Sequence, residues 1–211
     1  MKKVIILIIF YIGIVCHLQA QNVKFGVEAG ANYMNILLVN PPYNAPNPSS
    51  TTGFHIGALV DVGLGRFSLQ PGLLYTTKGA LNSTFKYLEF PLNVLYHVPI
   101  KKSGSVYLGT GAYLGYGISA PQQGLILYDG FGNYPNDVQN PDFGLNFLGG
   151  FCFNNGIFLN ANYGLGLTTL KNIGNYLNGF VDETRPSING RNRTFTLSLG
   201  YFFGLSHKIR K

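Results

Sequence analysis

The sequence predicts an all-β fold, an eight-stranded antiparallel up-and-down transmembrane β-barrel. Three observations predict it. A two-residue hydrophobic alternation recurs eight times, the connections alternate between tight turns and longer polar loops, and only 11% of the residues are charged, against roughly 25% in soluble domains. No helix-length apolar stretch follows the N-terminal region, so a membrane protein of this composition has to cross with strands.

Met1, Lys2 and Lys3 precede an apolar run from Val4 to Val15, with Ala20 before a plausible cut. This is the pattern of a secretory signal, with cleavage expected after Ala20. The run is too short for a spanning helix, which needs about twenty apolar residues. Cys16 raises a lipoprotein alternative, but Gly13, Ile14 and Val15 match its small-residue pattern poorly. The expected division is a signal over residues 1–20, one barrel domain over 21–204 and a short basic periplasmic tail over 205–211. Cleavage leaves Cys152 as the single cysteine, so no intramolecular disulfide forms.

The net charge of +7 includes Lys2 and Lys3, and the other basic residues are scattered, with Lys101 and Lys102 the longest run outside the tail. That distribution argues against a nucleic-acid partner.

In a strand, alternate side chains point to opposite faces. The first segment sets Val23, Phe25, Val27, Ala29, Ala31 and Tyr33 against Lys24, Gly26, Glu28, Gly30 and Asn32. The second and third carry oily faces from Phe54 to Val62 and from Phe67 to Tyr75, the fourth from Leu88 to Tyr96. The fifth sets Val106, Leu108, Ala112, Leu114 and Tyr116 against Gly109, Gly111, Gly115 and Gly117. The sixth runs from Phe143 to Phe153, the seventh from Ile157 to Leu167 and the eighth from Phe195 to Phe203. Each is long enough for a tilted crossing, which takes about 9 to 11 residues.

Residues 63–66, 98–104 and 154–156 read as tight turns. Residues 37–52, 119–140 and 170–191 read as long loops, with a shorter connection at 79–83. Outer-membrane barrels keep short turns in the periplasm and long loops outside, so both termini are expected in the periplasm. A soluble lipocalin-like barrel also alternates, but it turns the oily face inward and needs a charged exterior. Here the other face is mostly Gly, Asn, Ser and Thr, which suits a packed interior. Pro71 and Pro91 fall inside the third and fourth segments, where each removes a ladder donor, and are expected at bulges.

The stretches SLQPGLLYTTKGA (Ser68 to Ala80), YLEFPLNVLYHV (Tyr87 to Val98), LGTGAYLGYGIS (Leu108 to Ser119), DFGLNFLGGFCF (Asp142 to Phe153) and NYGLGLTTL (Asn162 to Leu170) resemble the PorT-like outer-membrane β-barrel domain family typical of Bacteroidetes. The resemblance covers nearly all of the mature chain and includes both prolines. It implies a membrane barrel that meets outer-membrane lipid and the barrel-insertion machinery during biogenesis. The family's founding member is linked to secretion and gliding, which implies envelope or secretion proteins as partners. Its motifs are structural and transfer no functional residue. One departure is that the last strand ends at Phe203, and a tail with His207, Lys208, Arg210 and Lys211 follows.

An eight-stranded barrel is narrow enough for side chains to fill. Tyr107, Tyr113, Leu74, Phe158 and Phe202 share the inward parity of their own strands and are expected to fill the space left by the inward glycines of the fifth strand. Inward charges need partners, because burying one unpaired costs several kcal/mol. Lys24 with Asp61 and Lys78 with Glu89 are expected to form lumenal ion pairs, with Glu28 nearer mid-barrel accepting from polar neighbours.

For a hydrolase, His55 would need an acidic partner such as Asp142 around a substrate crevice. No serine sits in a G-x-S-x-G setting, and the histidines lack metal spacing. No catalytic residue, cofactor or metal is expected. The outer loops are the expected functional surface, through Tyr43, Phe131, Tyr134, Tyr176 and Phe180, and Arg191 and Arg193 stand where they meet lipid phosphates or solvent. The function expected is surface interaction or envelope integrity, with a secretion accessory or a barrel hydrolase as alternatives.

Overall fold

The computed structural model describes residues 23–40, 49–80, 83–119, 141–169 and 189–203. The signal segment, the tail and the loop aromatics Tyr43, Phe131, Tyr134, Tyr176 and Phe180 lie outside these residues. Eight strands follow one another as β1 (Val23–Val39), β2 (Thr51–Leu64), β3 (Phe67–Ala80), β4 (Ser83–Ile100), β5 (Gly104–Ser119), β6 (Asp142–Phe153), β7 (Ile157–Gly166) and β8 (Asn189–Phe203). Each pairs antiparallel with the next, and β1 pairs with β8 to close the barrel.

Every predicted segment is a strand, and several run further toward the loops than the alternation suggested. β1 and β8 stay paired up to Val39 and Asn189, because a paired neighbour keeps satisfying backbone groups beyond the last oily residue. The turns at 65–66, 101–103 and 154–156 share one end with the start of β1 and the end of β8. The connections 40–50, 81–82, 120–141 and 167–188 share the other, called here the loop end.

The oily face points outward. Leu108 is 68% exposed and Phe25 62%, whereas the inward Phe158 and Leu95 are each 1% exposed. An apolar belt that encircles the barrel far exceeds the few hundred Å² of contiguous apolar surface tolerated in water. It rules out the lipocalin-like arrangement and is satisfied only by lipid.

Large inward side chains lie over glycines on the neighbouring strand. Phe158 is the register partner of Gly200, Tyr107 of Gly150 and Tyr113 of Gly144, Phe202 of Gly26 and Leu74 of Gly57. In each case a Cβ on the glycine would run into that side chain. The glycines these side chains cover are on β1, β2, β6 and β8 rather than on the fifth strand, where they were expected; the β5 glycines Gly109, Gly111 and Gly115 are instead met by Leu95, Asn93 and Tyr87. Two apolar clusters result, Leu59–Leu74–Phe158–Phe202 and Leu95–Tyr107–Leu148, with the Phe158 and Phe202 ring centroids 4.6 Å apart. Both occupy the half of the lumen nearer the tight turns. The half nearer the loops is polar.

The prolines correct an expectation. Across Pro71 the β2–β3 register reads Leu59↔Gly72 and then Val62↔Leu69. Across Pro91 the β3–β4 register reads Pro71↔Leu92 and then Leu74↔Glu89. Neither ladder shifts, so neither proline sits at a bulge. Each leaves a short unpaired stretch on the side where its missing N–H would have donated. The register shift lies instead in β4–β5, between Lys86 and Tyr87.

Gly200→Leu is expected to destabilise the barrel by about 1–3 kcal/mol, since the new side chain meets the Phe158 ring and the Val27 carbonyl. Adding Phe158→Ala should recover part of that loss in a double-mutant cycle, read from heat-modifiable mobility against temperature. Strictly additive losses would mean that the ring does not occupy the space above the glycine.

Candidate functional site

The polar half of the lumen is built around Lys78. Glu89 on β4 and Asp142 on β6 are both register partners of Gly115 on β5, so a residue without a side chain separates the two carboxylates. Lys78 reaches in from β3. Its Nζ lies 2.6 Å from Glu89 Oε2 and 3.0 Å from Asp142 Oδ2, with all three side chains at most 9% exposed. Asp142 Oδ2 also accepts from Asn192 Nδ2 at 3.1 Å and from the Tyr113 hydroxyl at 3.5 Å. The ammonium stands 3.8 Å from the centroid of the Tyr113 ring. Two carboxylates, a ring face and directed hydrogen bonds compensate the desolvation of this one cation.

The expected Lys78–Glu89 pair is therefore present, with Asp142 as a third member that parity alone did not assign to it. The expected Lys24–Asp61 pair is not formed. The two are register partners, but Lys24 is exposed at the rim, where its ammonium stays in water. Asp61 is buried, with no hydrogen-bond partner for Oδ1 among the described residues. Glu28 is also buried, and among the described residues its Oε2 lacks the polar donor that was expected for it.

His55 sits apart from Asp142. Its Nδ1 is 2.7 Å from Asn32 Oδ1 and its Nε2 2.8 Å from Ser198 Oγ. Asn32 Nδ2 points away, donating to the Phe54 and Thr77 carbonyls and to Thr76 Oγ1, so Asn32 Oδ1 is the acceptor and His55 carries its proton on Nδ1. Nε2 then accepts from the Ser198 hydroxyl. A hydroxyl, an imidazole and an amide stand in the order of a nucleophilic triad, but they border only a small space. The adjoining cavity, lined in part by Glu28, His55, Asn160, Asn162 and Ser198, has about 40 Å³ open to water. That admits about two or three waters and no acyl substrate. Asn162, Asn146 and Asn93 hand hydrogen bonds along the wall at 3.2 and 3.4 Å.

Asn32, Ser198 and Asn192 were not singled out from the sequence. Their parity marks them as inward; which strands they face depends on register and stagger, which alternation does not encode.

Lys78→Met leaves Glu89 and Asp142 buried without a counter-charge and is expected to cost about 3–5 kcal/mol, read from the unfolding midpoint in detergent. The triple change Lys78→Met, Glu89→Gln, Asp142→Asn should recover most of it. Equal losses in the single and triple variants would show that the charges are not what holds this end of the lumen.

The outer membrane protein beta-barrel domain family matches residues 19–172. No curated protein matches the sequence. Among solved structures, neisserial surface protein A (NspA) is 14% identical, with 87% of this chain and 100% of that one covered and a TM-score of 0.51. OprG of Pseudomonas aeruginosa is 13% identical, over 86% of this chain and 96% of that one, with a TM-score of 0.48. Ail, the attachment invasion locus protein of Yersinia pestis, is 14% identical, over 87% and 100%, with a TM-score of 0.43. The first of these is a likeness of fold. With the family match spanning most of the strands of a closed, lipid-facing barrel, the chain belongs to the outer membrane protein beta-barrel domain family.

Proposed function

We propose that this outer-membrane barrel is a non-enzymatic scaffold that passes no solute and works through its loop end, in surface interaction or in keeping the envelope intact. The observation that carries the reading is the filled lumen. Rings seated on glycines close the half nearer the tight turns, and the Lys78 cluster crosses the other half. A plugged barrel has its remaining capacity for recognition in what its strands hold up, and connections rich in Asn, Pro, Gly and aromatic residues suit adaptable contacts. Tyr43, Phe131, Tyr134, Tyr176 and Phe180 are the proposed contact residues.

Short turns on the same end as the start of β1 and the end of β8 support a periplasmic position for that end. Resemblance to the PorT-like family supports a second reading, an accessory of a secretion or export complex, which specific co-purification of envelope proteins would favour. The hydrolase alternative required His55 and an acidic partner around a crevice. Asp142 is engaged by Lys78 instead, and His55 by neutral partners.

Protease added to intact cells is expected to cut within 40–50, 120–141 or 167–188 and to spare the 101–103 turn. The purified barrel is expected to give no steady conductance in a planar bilayer. Cleavage at Lys101 or Lys102 in intact cells would reverse the orientation, and a stable open conductance would refute the plug.

A further inference from the structure

Charge is sorted between the two faces of the barrel wall. The carboxylates Glu28, Asp61, Glu89 and Asp142 all point inward and are buried. Of the cations in the wall, Lys78 is inside and Lys24 is exposed at the tight-turn rim, while Lys86, Arg191 and Arg193 are on the lipid side at the loop end. The two arginines share the parity of Phe195, Leu197, Leu199 and Tyr201, which are exposed to lipid, whereas the intervening Asn192 and Thr194 are buried in the lumen.

Their depth is set by an aromatic row. Tyr163, Phe195 and Tyr33 are register partners across β7, β8 and β1, all exposed on the outer face. Such rows stand at the membrane–water interface. One pleat further toward the loops comes the row Leu165–Arg193–Asn35, and Arg191 pairs with Leu37 one step beyond. The guanidinium groups therefore leave β8 just past the aromatic girdle, at the level of lipid head groups. A guanidinium is costly at the mid-plane of a bilayer and nearly free of cost there.

Neither arginine has a carboxylate within ion-pair distance among the described residues. Arg191 Nε reaches Thr169 Oγ1 at 3.5 Å. Arg193 Nε is shielded from solvent and has no hydrogen-bond acceptor among the described residues. A buried, unpartnered donor on a permanent cation calls for an acceptor that carries negative charge. Two arginines two residues apart on one face of a strand present paired planar donors, the geometry that suits a phosphate oxygen set better than a lone ammonium does.

We propose that Arg191 and Arg193 form a phosphate-binding site on the lipid-facing wall, occupied by the phosphorylated sugar head group of an outer-leaflet glycolipid. Its acyl chains lie along the apolar β8–β1 face below, over Leu197, Leu199 and Val27. The site rests on the proposed orientation, which puts the loop end in the outer leaflet. It also gives the barrel a fixed lipid neighbour on one side.

The test is native mass spectrometry of the full barrel released from detergent micelles with added lipid. The probes are bis-phosphorylated lipid A, the same lipid A with its phosphates removed, and phosphatidylglycerol. Bis-phosphorylated lipid A is expected to be retained, dephosphorylated lipid A to be lost, and Arg191→Ala with Arg193→Ala to weaken retention by about tenfold or more. Arg191→Lys with Arg193→Lys should fall between, because charge is kept and paired donation is not. Lys86→Ala, which removes a cation from the opposite wall, should leave retention unchanged. Heat-modifiable mobility confirms that each variant is folded. Retention indifferent to the phosphates, or lost equally with Lys86→Ala, would overturn the site. Equal retention of phosphatidylglycerol would overturn the glycolipid assignment, and the intact-cell protease result then tells whether the orientation failed with it.

Discussion

The pairing of β1 with β8 is the constraint on which the rest depends. A bilayer offers no water to unpaired N–H and C=O groups, so a sheet that crosses it must have no free edge. Closing at eight strands fixes a narrow lumen, and the narrow lumen dictates what can be inside it. Its largest inward rings are seated beside glycines on a neighbouring strand. The same closure turns the oily face to lipid and leaves polar residues to solve their hydrogen bonding inward.

The interior solves it unevenly. Near the tight turns, aromatic and aliphatic groups pack into two clusters, with Asp61 buried at their edge and its Oδ1 unpartnered among the described residues. Near the loops, Lys78 gathers Glu89, Asp142 and a ring face, while Asn32, His55 and Ser198 pass hydrogen bonds between β1, β2 and β8. Two of these contacts, Lys78 with Asp142 and His55 with Ser198, join strands that are not neighbours in the sheet, β3 with β6 and β2 with β8, and brace the barrel across its width. A lumen braced in this way suits a support for its loops better than a passage.

Most of the fold was legible because it rests on parity. Each oily residue named along the eight segments takes its face from a period of two, and tight turns between segments force antiparallel neighbours. The site was legible only where one adjacent strand pair sufficed. Lys78 and Glu89 are on neighbouring strands and meet as expected. Asp142 joins them from two strands further round, which depends on stagger, a property of the whole closed sheet. Lys24 and Asp61 failed for a different reason: they are correctly in register, but the rim is wet, and an ammonium there gains little by turning inward. The prolines misled because a lost donor was equated with a bulge, whereas the strands keep register and leave the pairs beside them unmade.

The rings seated on glycines have an evolutionary corollary. Phe158 and Gly200, or Tyr113 and Gly144, lie far apart in the chain yet share one volume. Neither partner can change size alone without opening a void or forcing a clash. Substitutions inside the barrel are therefore expected to come in twos, with bulk crossing from one strand to the next while the sum is kept. The lipid-facing side chains, whose solvent has no fixed shape, are free to drift one at a time. Relatives of this chain should thus diverge quickly on the outside and keep the interior as a set of linked exchanges.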